Sequence, residues 1–156
     1  MAPGPAHVLF GYDGSAGARR AIERAGTLVG RAPATVLTVC EPTEGLAGHD
    51  PADLISDVVA RLTGLADEMD EIGLELAERT AAEGAELARN AGFDAALRTA
   101  KGKPWPSIME VADELDADLV VVGTRGLSTV ESALTGSVAG GLVHHCRRPL
   151  LVVPPE

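Results

Sequence analysis

Short apolar runs alternate with longer amphipathic stretches along this chain, the pattern of strands separated by helices. Residues 1–6 are a Pro/Gly-rich lead expected to be flexible, and His7 to Tyr12 then reads as a first strand closing on Gly11-Tyr12-Asp13-Gly14-Ser15. Ser15 is placed to cap a helix to about Val29, with Ala18, Ile22, Ala25 and Leu28 or Val29 at helical spacing, and Gly30 to Pro33 stops it. Thr35 to Val39 alternates as a second strand, and Thr43 to Pro51 is a polar, Gly-containing loop. From Leu54 the positions Val58, Leu62, Leu65, Met69, Ile72 and Leu76 step by threes and fours, which predicts one long amphipathic helix to about Asn90. Gly64, Gly73 and Gly84 weaken it and offer places to bend or break. Its apolar stripe is expected to pack on the sheet, the other reading being a coiled-coil partner.

Asp94 to Ala100 is a third strand whose polarity suits a sheet edge, and Pro104, Ile108, Val111, Ala112 and Leu115 mark the next helix. Leu119 to Val122 is an uninterrupted apolar run, expected to be a strand buried on both faces. Residues 128–134 read as either a helical turn or a loop, Ser137 to about Cys146 as the last helix, and Leu150 to Val153 as the last strand. Five strands alternating with helices predict a single α/β domain over residues 1–156, with an open parallel sheet, right-handed crossovers and helices on both faces.

Composition narrows the function classes. A formal net charge of −10 argues against a general nucleic-acid binder. No apolar run approaches membrane-span length and no leader sequence is evident, so a cytoplasmic protein is expected. Cys40 and Cys146 lack C-x-x-C spacing and are expected to be free thiols. In His144-His145-Cys146, consecutive helical side chains point in different directions and cannot converge on one ion.

The chemistry concentrates after the fourth strand. Gly123 and Gly126 permit a sharp turn, and Gly136-Ser137 opens the last helix, whose N-terminus offers free N–H groups and a positive dipole end. Strand, glycine turn and small-residue helix start describe a cradle for phosphate. Other nucleotide motifs are missing: Gly11-x-x-Gly14-x-x-Gly17 is not G-x-G-x-x-G, and no G-x-x-x-x-G-K-(S/T) occurs.

Gly123-x-x-Gly126, nine residues, then Gly136-Ser137 resembles the G-2x-G-9x-G-(S/T) signature of the nucleotide-binding branch of the universal stress protein family. The resemblance spans nearly the whole chain. It implies a Rossmann-like sheet of the adenine nucleotide alpha hydrolase-like type, strand order 3-2-1-4-5, with ligand at the switch point between strands one and four. It further implies ATP as the ligand, with a divalent ion, Mg2+ or Mn2+, bridging the phosphates, and a homodimer formed through Leu150 to Val153. Gly11, Tyr12 and Asp13 match the end of strand one, where Asp13 either contacts the base or ribose side of ATP or only forms an Asx turn. Val39 matches the position whose backbone reads the adenine edge. Gly123, Gly126, Gly136, Ser137 and Val138 match the phosphate cradle. Arg125 either pairs with phosphate or is an exposed loop charge, and Trp105 either stacks on ligand or caps a loop half-buried. No acid–base pair is evident at the cradle, so a binding module with at most weak ATPase activity is expected. The competing readings are a slow ATP hydrolase, a binder of AMP or cyclic AMP, and a nucleotide-free dimeric scaffold.

Overall fold

A computed structural model describes residues 6–42, 55, 58–59, 64–124 and 137–155. Five strands, β1 (Val8–Gly11), β2 (Pro33–Cys40), β3 (Asp94–Lys101), β4 (Leu119–Gly123) and β5 (Leu150–Val153), form one sheet in the order β3-β2-β1-β4-β5, with every pair parallel. The helices with both ends described are α1 (Ala16–Val29), α2 (Leu65–Asn90), α3 (Pro104–Glu114) and α4 (Ser137–His145), and Ile55, Val58 and Val59 are helical as well. Parallel strands require crossovers, and the crossover helices cover both faces. One apolar cluster joins Val8, Phe10 and Val36 of the sheet to Ala21 and Ile22 of α1 and Ala85 and Ala88 of α2. On the other face Leu9, Leu37 and Val120 pack with Ile108 and Val111 of α3 and Leu142 of α4. The central run Val120-Val121-Val122 is buried, as its lack of alternation predicts.

Local chemistry explains the boundaries. Ser15 caps α1, its Oγ accepting from the Ala18 N–H at 3.1 Å, and Gly30 ends the helix at φ 78°. Arg148 donates to Asp113, to Asp116 and to the Ala117 carbonyl at 2.7–3.1 Å, tying the end of α3 to the start of β5. Cys40 and Cys146 are free thiols.

The expectation of one unbroken helix from Leu54 to Asn90 is corrected. Gly64 sits in the left-handed region at φ 72°, and α2 begins at Leu65. A residue with a side chain is strained in that conformation, so Gly64 is the hinge point that the glycine spacing anticipated. The expectation that the Leu/Met/Ile stripe packs on the sheet is also corrected. The sheet takes the other face of α2, through Ala77, Ala81, Gly84, Ala85 and Ala88, while Leu65, Met69, Ile72 and Leu76 stay exposed. Space decides the matter: a Cβ at Gly84 would lie 2.6 Å from the Tyr12 ring and 2.7 Å from Val36. At such an approach larger side chains would overpack the interface.

Candidate functional site

At the carboxyl end of the sheet a crevice of about 120 Å³ opens where the winding reverses between β1 and β4. It is lined by Gly11 at the end of β1, Tyr12 and Asp13 just after it, Leu37 and Val39 of β2, and Val122 and Gly123 of β4. Ser15 and Ala18 of the α1 start, Pro104 and Ile108 of α3 and Val138 of α4 complete the wall. The wall is mostly aliphatic, suited to a flat apolar ring. Residues near the N-termini of three helices, Ala18, Pro104 and Val138, contribute to it. The Ala18 N–H is already taken by Ser15 and Pro104 has none, so what these helix starts offer in common is the partial positive charge of the helix dipole, which favours an anion near the mouth.

The turn after β1 is held rigidly. The Tyr12 N–H donates to the Leu37 carbonyl at 2.9 Å, and the Tyr12 carbonyl accepts from Thr38 Oγ1 at 2.8 Å. Asp13 Oδ1 accepts from the Ser15 N–H at 2.9 Å, so the Asx turn exists, and the exposed carboxylate also borders the crevice. The two readings of Asp13 are thus compatible in one geometry.

Tyr12 divides its parts. Its ring belongs to the cluster on the α1/α2 face, opposite the Leu37 and Ile108 wall, which leaves its main chain to the crevice. The buried hydroxyl donates to Glu83 Oε1 at 2.7 Å and accepts from Arg19 Nε at 3.4 Å, while Arg19 pairs with Glu83 at 2.7 Å. Burial, reinforced by the hydrogen bond to Glu83, pushes the phenol up to about 12 from an ordinary 10.0. The folded value exceeds the unfolded one, so this group's stabilisation is complete below about pH 10 and is lost as pH rises through about 12. Tyr12 is the only tyrosine in the chain, so phenolate absorbance reads it directly. We expect a folded-state midpoint near 12 that returns to near 10 in denaturant; equal midpoints would refute the triad.

Gly123 has a structural cause as well as a position in the wall. A Cβ there would lie 2.7 Å from the Gly17 carbonyl carbon and 2.8 Å from its oxygen, so the missing side chain lets the first turn of α1 sit against β4. Ser137 is exposed at the first position of α4 and does not line the described crevice, whereas its neighbour Val138 does. Arg125, Gly126 and Gly136, and the segment 128–134, lie outside the described residues.

Trp105 is half-buried at the start of α3 and is absent from the crevice wall. Its ring stacks on His145 with centroids 4.7 Å apart and planes at 11°, over Gly141, where a Cβ would meet it at 2.5 Å. It is a packing residue between α3 and α4. Ser15, Ala18, Leu37, Pro104, Ile108 and Val122 complete the wall beyond the expected site residues. A signal was present for Leu37, which shares the alternation of Val39, and for Pro104 and Ile108, which follow the Gly102 turn. No group of three His, Cys, Asp or Glu able to hold a metal occurs among the described residues.

An open parallel α/β sheet of order 3-2-1-4-5 with a crevice at its switch point defines the class: a doubly wound fold of the Rossmann-like kind. The model of the Universal stress protein family matches residues 6–154, and the chain belongs to that family. A universal stress protein of Mycobacterium tuberculosis is 32% identical over 150 residues, covering 94% of each chain. The universal stress protein UspA from Lactobacillus plantarum shares the fold with a TM-score of 0.72 at 19% identity, covering 97% of this chain and 99% of that one. A universal stress protein solved in complex with cAMP aligns at 27% identity and a TM-score of 0.63, covering 97% of this chain and 98% of its own. One from Archaeoglobus fulgidus in complex with dAMP aligns with a TM-score of 0.57 at 21% identity over 98% and 99% of the two chains. Among the described residues no helix is long and apolar enough to cross a membrane.

Proposed function

We propose that this chain is an ATP-binding universal stress protein, a regulatory module whose bound nucleotide sets its conformation or its partner. The observation that carries the reading is the crevice itself, an aliphatic slot at the switch point towards which the positive dipole ends of three helices are directed. The adenine ring lies against Leu37, Val39, Ile108 and Val122, with Val39 offering backbone groups to its edge. Asp13 faces the ribose side. Gly123, Gly126, Gly136, Ser137 and Val138 form the phosphate cradle, supported by the Gly123-x-x-Gly126 and Gly136-Ser137 spacing, and Arg125 supplies positive charge there. Relatives solved with cAMP and with dAMP keep other adenine nucleotides as the second reading.

Asp13 is the one carboxylate on the described wall, and no acid–base pair for activating water accompanies it. We therefore assign binding, with hydrolysis at most slow. A Mg2+ or Mn2+ ion at this site would be held chiefly through the phosphates, since the wall offers it that single acidic ligand. Calorimetric titration of ATP, AMP and cyclic AMP, each with and without magnesium, into nucleotide-free protein ranks the ligands. Trp105 fluorescence is a weaker readout than its sole occurrence suggests, because the ring faces α4 and not the slot.

We further propose a homodimer through β5. That strand is a sheet edge whose Leu150, Leu151 and Val152 remain partly exposed. The carbonyls of Pro149 and Val153 accept from Val120 and Thr124 of the β4 side, so by alternation Leu150 and Val152 direct their backbone groups outward. Val152→Pro removes one outward donor and leaves the β4 ladder intact. Sedimentation of this variant should show a monomer with an unchanged far-ultraviolet spectrum; a persisting dimer would move the interface elsewhere.

A further inference from the structure

The first turns of α2 carry a surface that neither the sheet nor the crevice uses. Leu65, Met69, Ile72 and Leu76 are 50%, 56%, 58% and 56% exposed. Spaced by four, three and four, they fall on one narrow arc of the helix. The sheet-facing arc becomes buried only from Ala77 onward. The arm from Leu65 to Leu76 is about 18 Å long at helical rise. Single exposed leucines are ordinary in a folded protein, but four large apolar side chains in register along one face are not.

The surroundings of the stripe define what fits it. Asp67, Glu68, Asp70, Glu71, Glu75 and Glu78 fall in the same stretch, and no Lys or Arg occurs between Leu65 and Glu78. Glu68 and Glu75 are exposed and lie one turn from Leu65 and Ile72, so the stripe has an acidic border. Asp70 is turned towards Lys101, which it meets at 2.6 Å on the sheet side.

We propose that this arm docks a basic amphipathic helix of a partner protein. The partner's apolar face covers Leu65, Met69, Ile72 and Leu76, and its Lys or Arg side chains meet the acidic border. A second copy of the chain is the poorer occupant, because it would bring an identical acidic border against this one on a protein already at net charge −10.

The test uses the full chain and a synthetic amphipathic helix of about four turns, leucine on one face and lysine on the other. A double variant, Met69→Ser with Ile72→Ser, removes apolar surface without changing charge, and both positions are exposed, so the fold is retained and is checked by circular dichroism. A second double variant, Glu68→Gln with Glu75→Gln, keeps the stripe and removes border charge. We expect saturable binding of the lysine helix, weakened at least about tenfold by the serine pair and several-fold by the glutamine pair. Equal binding to the serine variant would reduce the contact to bulk electrostatics and overturn the proposal, as would the absence of binding. Equal binding of a glutamate-faced helix would also overturn it. Self-association of the wild-type chain that the serine pair abolishes would give the face to a second copy instead.

Discussion

Gly11→Val is expected to weaken adenine nucleotide binding severely while the protein stays folded. Gly11 forms part of the crevice wall at the end of β1, and a Cβ there meets Ile108 Cδ1 at 2.9 Å and Val122 Cγ1 at 3.0 Å. Both contacts are side-chain methyls, which can turn aside at a cost of about 1–2 kcal/mol. The added methyls of valine then occupy the slot between the walls that would sandwich the base. Affinity should fall at least about a hundredfold, equivalent to about 2.7 kcal/mol. Wild-type affinity in this variant would show that the ligand lies outside the crevice.

Gly123→Val should act on the fold itself. Its Cβ meets main-chain atoms, at 2.7 and 2.8 Å from Gly17 and 3.1 Å from the Ala18 nitrogen, and a helix backbone cannot swing away as a methyl can. Either α1 moves off β4 or the strand shifts. We expect a loss of about 3 kcal/mol or more from overpacking, which lowers Tm by roughly 6–12 °C in a chain of this length. Thermal unfolding of ligand-free protein measures it. If Gly123 served only to let a phosphate approach, the ligand-free Tm would be unchanged. A glycine in a nucleotide signature can thus have a structural cause independent of the ligand, and loss of binding in this variant alone does not report a contact.

Much of the architecture is legible in the sequence because its signals are local. The run Leu119 to Val122 lacks alternation because both its faces are covered, and Ser15 and Gly30 bound α1 through short-range chemistry. The wall from Gly11 to Asp13, Val39, Gly123 and Val138 was reachable from the motif and the strand order together. What sequence periodicity cannot supply is the direction a helix faces when it carries two candidate faces. In α2 the Leu/Met/Ile stripe has the larger transfer free energy, and the sheet nevertheless takes the Ala/Gly face, because Tyr12 and Val36 leave room for nothing bigger at Gly84. That constraint arises between residues far apart in the chain. Trp105 is similar: its neighbours Gly141 and His145 come from another helix, and nothing adjacent to it in sequence announces them.

An adenine nucleotide held in the crevice between β1 and β4 has one direct consequence in solution. Calorimetric titration of ATP into nucleotide-free wild-type protein, with Gly11→Val in parallel, tests it most directly. Saturable binding with one nucleotide per chain is expected in the wild type and binding at least about a hundredfold weaker in the variant, both remaining folded. No binding of ATP, AMP or cyclic AMP to the wild type, or equal binding to both proteins, would contradict it.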